Sequence, residues 1–425
     1  MQKNNSKNDR MIEIIKMAGV DLDTSNMPTT GQWDVWQQLD KTEAEYDKHG
    51  NVKKLPRAIN NRYNLACIFE GDHKYDTLCY NDHSDQIFLD DQEINGAMIE
   101  DIGLNLELDY RLKAKNEEIR GGLLRVAMQR VIEPIRTYLD NLAWDGVNRL
   151  GHMLAENFSV EVPQGAEDLI GTFGVRWAVG CVARIYDPGC EMHTVLTLVG
   201  RKGLGKGRAL KALASPQWFS NSNIDISSKS AYELIHQSGV WLWELAELHA
   251  LNGKTADNAK MFLSASSDRY RPTWGKTPVN RGRRTVFVAS SNNYQFLTDG
   301  PERRFWPIHI TNKINVEWIE QNRDQLWAEA VHWYREGVQW WLTDHEQIQL
   351  DELQQTYIID DPWAMRVLQH LRLGTDNTTA GIMKMLEIPP AQQHTGNARR
   401  IATICRDIGW AQVREGNDRK WVCVK

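Results

Sequence analysis

The run Gly200-Arg201-Lys202-Gly203-Leu204-Gly205-Lys206-Gly207 holds residue types at a spacing that can grip an anion. Glycines let successive backbone N–H groups turn inward around a phosphate, and the start of a following helix adds partial positive charge. Lys206 would then reach the β- and γ-phosphates of a nucleotide. Gly200, Gly205 and Lys206 fit the phosphate-loop pattern up to its last position, where Ser or Thr is expected and Gly207 stands. That hydroxyl ordinarily coordinates Mg²⁺, and no Ser or Thr occurs between Lys206 and Ala214 to replace it. Binding can rest on backbone amides and Lys206; hydrolysis, if retained, is expected to gain from Gly207→Ser, and weak or absent hydrolysis is the alternative that Gly207 opens. A glycine-rich surface turn has the same composition, so the flanking elements must decide.

Those elements have the required order. Val195–Val199 has the length and content of a buried strand, and Lys206 opens a helical period at Leu210 and Leu213. A second apolar run, Val240–Trp243, leads to Glu244 and Glu247, at the edge where ligands of open parallel sheets collect. One acid would orient Mg²⁺ or its water shell and the other could polarise an attacking water. Acids at a helix start are the structural alternative. A third strand, Thr285–Ala289, runs into Ser290-Ser291-Asn292-Asn293, where an amide could hold a water near the γ-phosphate or simply serve a turn. Arg303 and Arg304 precede another short strand, and either could be donated to a neighbouring subunit's nucleotide. Asp268–Arg284 reads as a hairpin with a basic tip, in which Arg269, Arg271, Lys276 and Arg281 suit a nucleic-acid backbone. A solvated basic loop reads the same way.

At 425 residues, 41% apolar and 25% charged, the chain has room for two or three domains with a large core. A net charge of −6 excludes a uniformly basic nucleic-acid binder, so such contacts need local patches. Six cysteines without metal spacing imply a reduced cytoplasmic protein, and the polar start and lack of a long apolar run imply no export and no membrane partner. Seventeen tryptophans point to cores before base stacking.

The expected fold is α/β. A polar tail and helical lead (1–55) precede a mixed or helical adapter (56–165), a nucleotide-binding core (166–343), a connector (344–361) and a winged-helix-like domain (362–425). In the adapter, Ala66–Phe69, Thr77–Asp82 and Gln86–Asp91 read as strands or short turns, and Glu117–Leu142 as helical. Helical periods also cover Leu169–Ile185, where Arg176 suits a nucleotide contact or a solvated face, and Val316–Leu342. Three helices and a basic hairpin close the chain, with Arg399 and Arg400 on the third helix; such domains bind DNA or protein.

The order of EPIRTYLDNLAWDGVNRL, LVGRKGLGKG, WLWELAEL, FLSASSDRYRPTWGK, VFVASSNNYQFL and ERRFWPI resembles the virulence-associated E family of phage and pathogenicity-island proteins, over roughly Pro56–Ile310. That family is similar to superfamily 3 helicases of the AAA+ kind. The resemblance implies an ATP- and Mg²⁺-dependent ring motor, a hexamer, acting on DNA during replication of a mobile element in the bacterial host's cytoplasm. It places Gly200–Lys206 at the phosphates, Glu244 and Glu247 at the metal and water, Asn292 as sensor, Arg303 or Arg304 as arginine finger, and Lys276 in a DNA-gripping hairpin. Longer relatives carry a primase domain first, so priming here is expected from a separate protein. The alternative that Gly207 keeps open is a nucleotide-binding DNA or partner assembly factor without turnover.

Overall fold

In the computed structural model the described residues are 30–423 apart from 226–227, 229, 247–253, 276, 298–299, 359–361, 375 and 416–417. Two of the site residues read from the sequence, Glu247 and Lys276, lie outside them, as does the turn at Gly416-Asn417. Two compact units result, one containing the described chain up to Asn292 with Arg304–Gln347, the other Asn293–Arg303 with the chain from Ile348.

The first unit begins with α1 (Thr30–Gln38), α2 (Arg62–Gly71), β1 (Cys79–Asn81), β2 (Gln86–Leu89), α3 (Gly96–Tyr110), α4 (Asn116–Ala127), β3 (Val131–Ile132) and α5 (Pro134–Asp140). Ala66–Phe69, read as a strand or turn, lies inside α2. The Asn61 side chain accepts the Asn64 N–H at 2.7 Å and caps that helix, while Leu65, Ile68 and Phe69 bury one face at helical spacing. The period over Glu117–Leu142 also breaks in two. Val131 and Ile132 leave α4 to pair in parallel with β1, and the chain re-enters a helix at Pro134, where a missing N–H costs nothing.

Next come α6 (Glu167–Tyr186), β4 (Val195–Val199), α7 (Lys206–Ala214), β5 (Phe219–Ser220), α8 (Ser230–Gln237), β6 (Leu242–Ala246), α9 (Lys254–Ser264), β7 (Ser267–Tyr270), β8 (Val279–Gly282), β9 (Val286–Ser291), β10 (Phe305–His309) and α10 (Val316–Arg335). Five of the strands form one parallel sheet in the order β10-β4-β9-β6-β5, as an α/β fold requires. Every residue of β4 is buried, the pattern of a strand covered on both faces. Register pairs Val199 with Ser291 and Ala246 with Ser290, so the C-terminal ends of β4, β9 and β6 finish side by side.

Tryptophan fills this core. Trp177, Trp241, Trp306 and Trp327 are fully buried, the rings of Trp241 and Trp327 lie 4.3 Å apart, and Trp327 Nε1 donates to the Leu213 carbonyl at 2.9 Å. The last contact seats α10 on the end of α7. The helix stops at Arg335, short of the expected Leu342. Arg176 donates to Glu346 Oε1 at 2.7 Å and to the Trp341 carbonyl, so this arginine serves the fold.

The strands β7 and β8 pair as an antiparallel hairpin. Asp268 at its base is fully buried, bound by Arg283 through Nη2 at 2.5 Å and Nε at 3.0 Å and by His236 Nε2 at 3.0 Å. Arg281 reaches Asp82 at 2.5 Å and Asp85 at 2.9 Å, and the Tyr270 hydroxyl donates to Asp85. Trp274 Nε1 donates to Gln86 at 3.0 Å. The loop between β1 and β2 thus holds the hairpin through several polar contacts.

His83 in that loop is buried, with Nε2 3.4 Å from the Val240 carbonyl. Burial, and secondarily the Arg284 charge, lowers its pKa from 6.5 to about 3. Between those values the unfolded chain binds a proton that the folded chain refuses, so stability falls as pH drops below 6.5, by up to about 1.4 kcal/mol per pH unit. Urea midpoints at pH 7 and pH 5 should therefore differ by more in the native protein than in His83→Gln; equal differences would remove His83 from the account.

Residues of the second unit include α11 (Ala364–Leu373), α12 (Thr379–Met385), α13 (Thr395–Asp407) and the antiparallel pair β11 (Trp410–Glu415) and β12 (Asp418–Cys423). Val367, Leu371, Ile382, Ile401, Ile404, Cys405 and Trp421 form its core. Arg399 and Arg400 on α13 are both exposed, and the Arg400 guanidinium stacks 3.8 Å from the Trp363 ring centroid. Among the described residues no helix is long and apolar enough to cross a membrane.

Candidate functional site

A buried strand, a glycine turn and a helix follow one another at β4 and α7, and the turn opens at the sheet edge where β9 and β6 also end. Gly200 leaves β4 so close to Ile310 that an added Cβ would lie 2.5 Å from its carbonyl oxygen. Gly205 has φ +93°, a left-handed conformation that glycine adopts without penalty, and it turns the chain into α7. Within the loop Arg201, Lys202 and Gly203 are exposed, whereas Leu204 is buried and anchors it.

Lys206, the first residue of α7, is 8% exposed. Its Nζ donates to the Gly200 carbonyl at 2.5 Å, the Arg201 carbonyl at 3.2 Å and Asn292 Oδ1 at 3.0 Å. Burial lowers its pKa and the Glu244 carboxylate opposes the shift. The amine is thus held by neutral oxygens that exchange readily for stronger anionic acceptors.

Glu244 stands in the middle of β6, not beyond its end, and is buried. Its Oε1 accepts the Ser290 hydroxyl at 2.7 Å. Its Oε2 lies 2.9 Å from where a Cβ on Gly207 would sit. Asn292, just past β9, is exposed. Lysine, carboxylate, amide and glycine turn therefore share one place, and they come from three neighbouring strands in the order β4, β9, β6. An arrangement of this kind can bind a polyphosphate and polarise what stands beside its last phosphate.

The model of the virulence-associated protein E-like domain matches residues 139–359, just over half of the chain. The chain belongs to the virulence-associated protein E-like family. The family match takes in the glycine turn, Glu244, Asn292, Arg303 and Arg304, and leaves out 56–138, which the sequence resemblance had covered. No curated protein matches. Two solved apo structures of the NrS-1 C-terminal region align at 12% identity over 82% of this chain and 96% of theirs, with TM-scores of 0.42 and 0.39.

The remaining residues singled out in the sequence fall elsewhere. Arg304 is half-buried and its Nε donates to Ser264 Oγ at 2.7 Å, whereas Arg303 is exposed. Arg269 and Arg271 are exposed on or beside the hairpin, and Arg271 Nε donates to the Gly275 carbonyl at 3.3 Å. Arg281 is engaged by Asp82 and Asp85, which turns an expected nucleic-acid contact into an internal ion pair. The sequence reading assigned no role to Ser290. Its signal was the strand period: Ser290 and Asn292 fall on the same side of the chain as it leaves β9.

Proposed function

We propose that this family member is an ATP-dependent DNA translocase or helicase acting in replication of a phage or other mobile element. The observation that carries the reading is the Lys206 amine, buried at the glycine turn and bonded to Asn292 just past the end of the strand that pairs with Glu244's strand. Gly200–Gly207 would cradle the phosphates with backbone N–H groups, and Lys206 would trade its carbonyl and amide partners for phosphate oxygens. That exchange releases Asn292 to orient a water. Glu244 would face Mg²⁺, and Glu247 is the second acid of the same segment. Bound Mg²⁺ supplies charge neutralisation of the β- and γ-phosphates.

An arginine from a neighbouring copy completes such sites, which makes a homo-oligomer, in this reading a hexamer, part of the proposal. Arg303 suits that role better than Arg304, whose guanidinium is bonded to Ser264. Single-stranded DNA would meet Arg269, Arg271 and Lys276 on the hairpin and Arg399 on a winged-helix-like second unit, with Arg400 restrained by Trp363. The setting would be the cytoplasm of a bacterial host.

Gly207 favours a second reading, an assembly factor that binds nucleotide and DNA without turnover. Phosphate release by the purified protein, measured with and without single-stranded DNA, separates the two. A DNA-stimulated rate is expected; nucleotide binding with no release above background would establish the second reading in its place.

A further inference from the structure

A bare Gly207 at the position of a metal-binding hydroxyl looks like a lost ligand, yet the space is not vacant of oxygen. The Glu244 carboxylate fills it: a Cβ on residue 207 would come within 2.9 Å of Oε2 and 3.5 Å of Oε1. The approach to Oε1 is ordinary contact, but real Cβ atoms do not come as near as 2.9 Å, so a side chain at 207 would make Oε2 shift from its present position. Nor is the carboxylate free to swing aside without loss. Glu244 is 6% exposed on a central strand, and the Ser290 hydroxyl on the adjacent strand holds Oε1 at 2.7 Å. Among the described residues Oε2 accepts no hydrogen bond, which leaves a charged oxygen facing the first turn of α7.

We propose that Gly207, Glu244 and Ser290 work as one unit, in which the missing side chain admits the carboxylate, Ser290 fixes its angle, and Oε2 takes over the metal contact that a loop hydroxyl makes elsewhere. The donor chemistry fits Mg²⁺, which selects hard oxygen ligands and is commonly bound through one or two carboxylates plus phosphate oxygens. Ser290 is a positioning residue: it acts through Glu244 and touches no nucleotide. Partners that orient a metal ligand typically cost 10–100-fold in metal affinity when removed. The unit also reverses what the sequence alone implies for Gly207→Ser, because a new side chain would push away the carboxylate that replaced it.

The inference rests on nucleotide binding at this loop, and its test keeps the two apart. A fluorescent ATP analogue is titrated into the full chain in EDTA and then, at fixed nucleotide, across a Mg²⁺ series, for native protein, Ser290→Ala and Gly207→Ser. Metal-free nucleotide affinity should be alike in native protein and Ser290→Ala, while the Mg²⁺ midpoint of Ser290→Ala rises about 10-fold and that of Gly207→Ser also rises. Mn²⁺ substituted for Mg²⁺ should report the same order by its electron paramagnetic resonance signal. A Gly207→Ser protein that binds Mg²⁺ more tightly than native, or a Ser290→Ala midpoint equal to native, overturns the unit. Absence of nucleotide binding by the native protein in both conditions overturns the underlying reading instead.

Discussion

Lys206→Ala is expected to lose DNA-stimulated phosphate release by at least about 100-fold, the scale on which a positioned charge at a reacting phosphate acts. The reason is visible before any ligand arrives. The amine is drawn 8% exposed into the loop, where burial works against its charge and only neutral oxygens and the Glu244 field hold it. A phosphate would satisfy that charge better than these partners do, so the energy of the exchange is available to binding. The fold should not suffer, since truncation removes a desolvated cation rather than an apolar contact. Unfolding midpoints of the variant and the native protein should agree within about 1 kcal/mol, which separates a lost site from a lost structure. A variant that keeps its rate would mean turnover occurs elsewhere.

The largest effect on stability is expected at Asp268. Its carboxylate and the Arg283 guanidinium both have 0% side-chain exposure, and the arginine lies over Phe262 and Phe287 at 4.7 and 5.6 Å from their ring centroids. Burial pushes the Asp268 pKa up, but hydrogen bonds from His236 and Arg283 more than offset this and leave it below the usual carboxylate value. Removing one partner strands the other in a fully buried site, at a cost of about 3–5 kcal/mol. Asp268→Ala should lose that much in urea unfolding. Glu45→Ala, which breaks an exposed pair with Lys54, should change stability by less than about 1 kcal/mol. Equal effects would show that the buried pair is not what holds the hairpin base.

How much of this was legible in the sequence depended on which force shaped each part. The central strands carry their burial in their composition: Val195–Val199 matches β4, and β9 starts one residue after and ends two residues after the run read as Thr285–Ala289. The phosphate-loop spacing brought the start of α7 with it, because the glycines are demanded by local backbone geometry. Ala66–Phe69 misled, since four apolar residues have no period of their own and the deciding signal was the cap at Asn61. Val131 and Ile132 joined a sheet through a partner some fifty residues earlier, which no local pattern announces. In the candidate site, type and order singled out Lys206 and Asn292, and the structure places the two side chains in a 3.0 Å hydrogen bond. Glu244's depth inside β6 and its Ser290 contact follow from strand register, and Arg281 looked like a ligand for phosphate because its partners, Asp82 and Asp85, are about 200 residues away.

Direct calorimetric titration of ATP with Mg²⁺ into the full chain tests whether a triphosphate is gripped at Gly200–Lys206. Native protein should bind one nucleotide per chain, and Lys206→Ala, folded to the same degree, should give no measurable heat of binding. No binding by the native protein, or undiminished binding by the variant, would contradict the account.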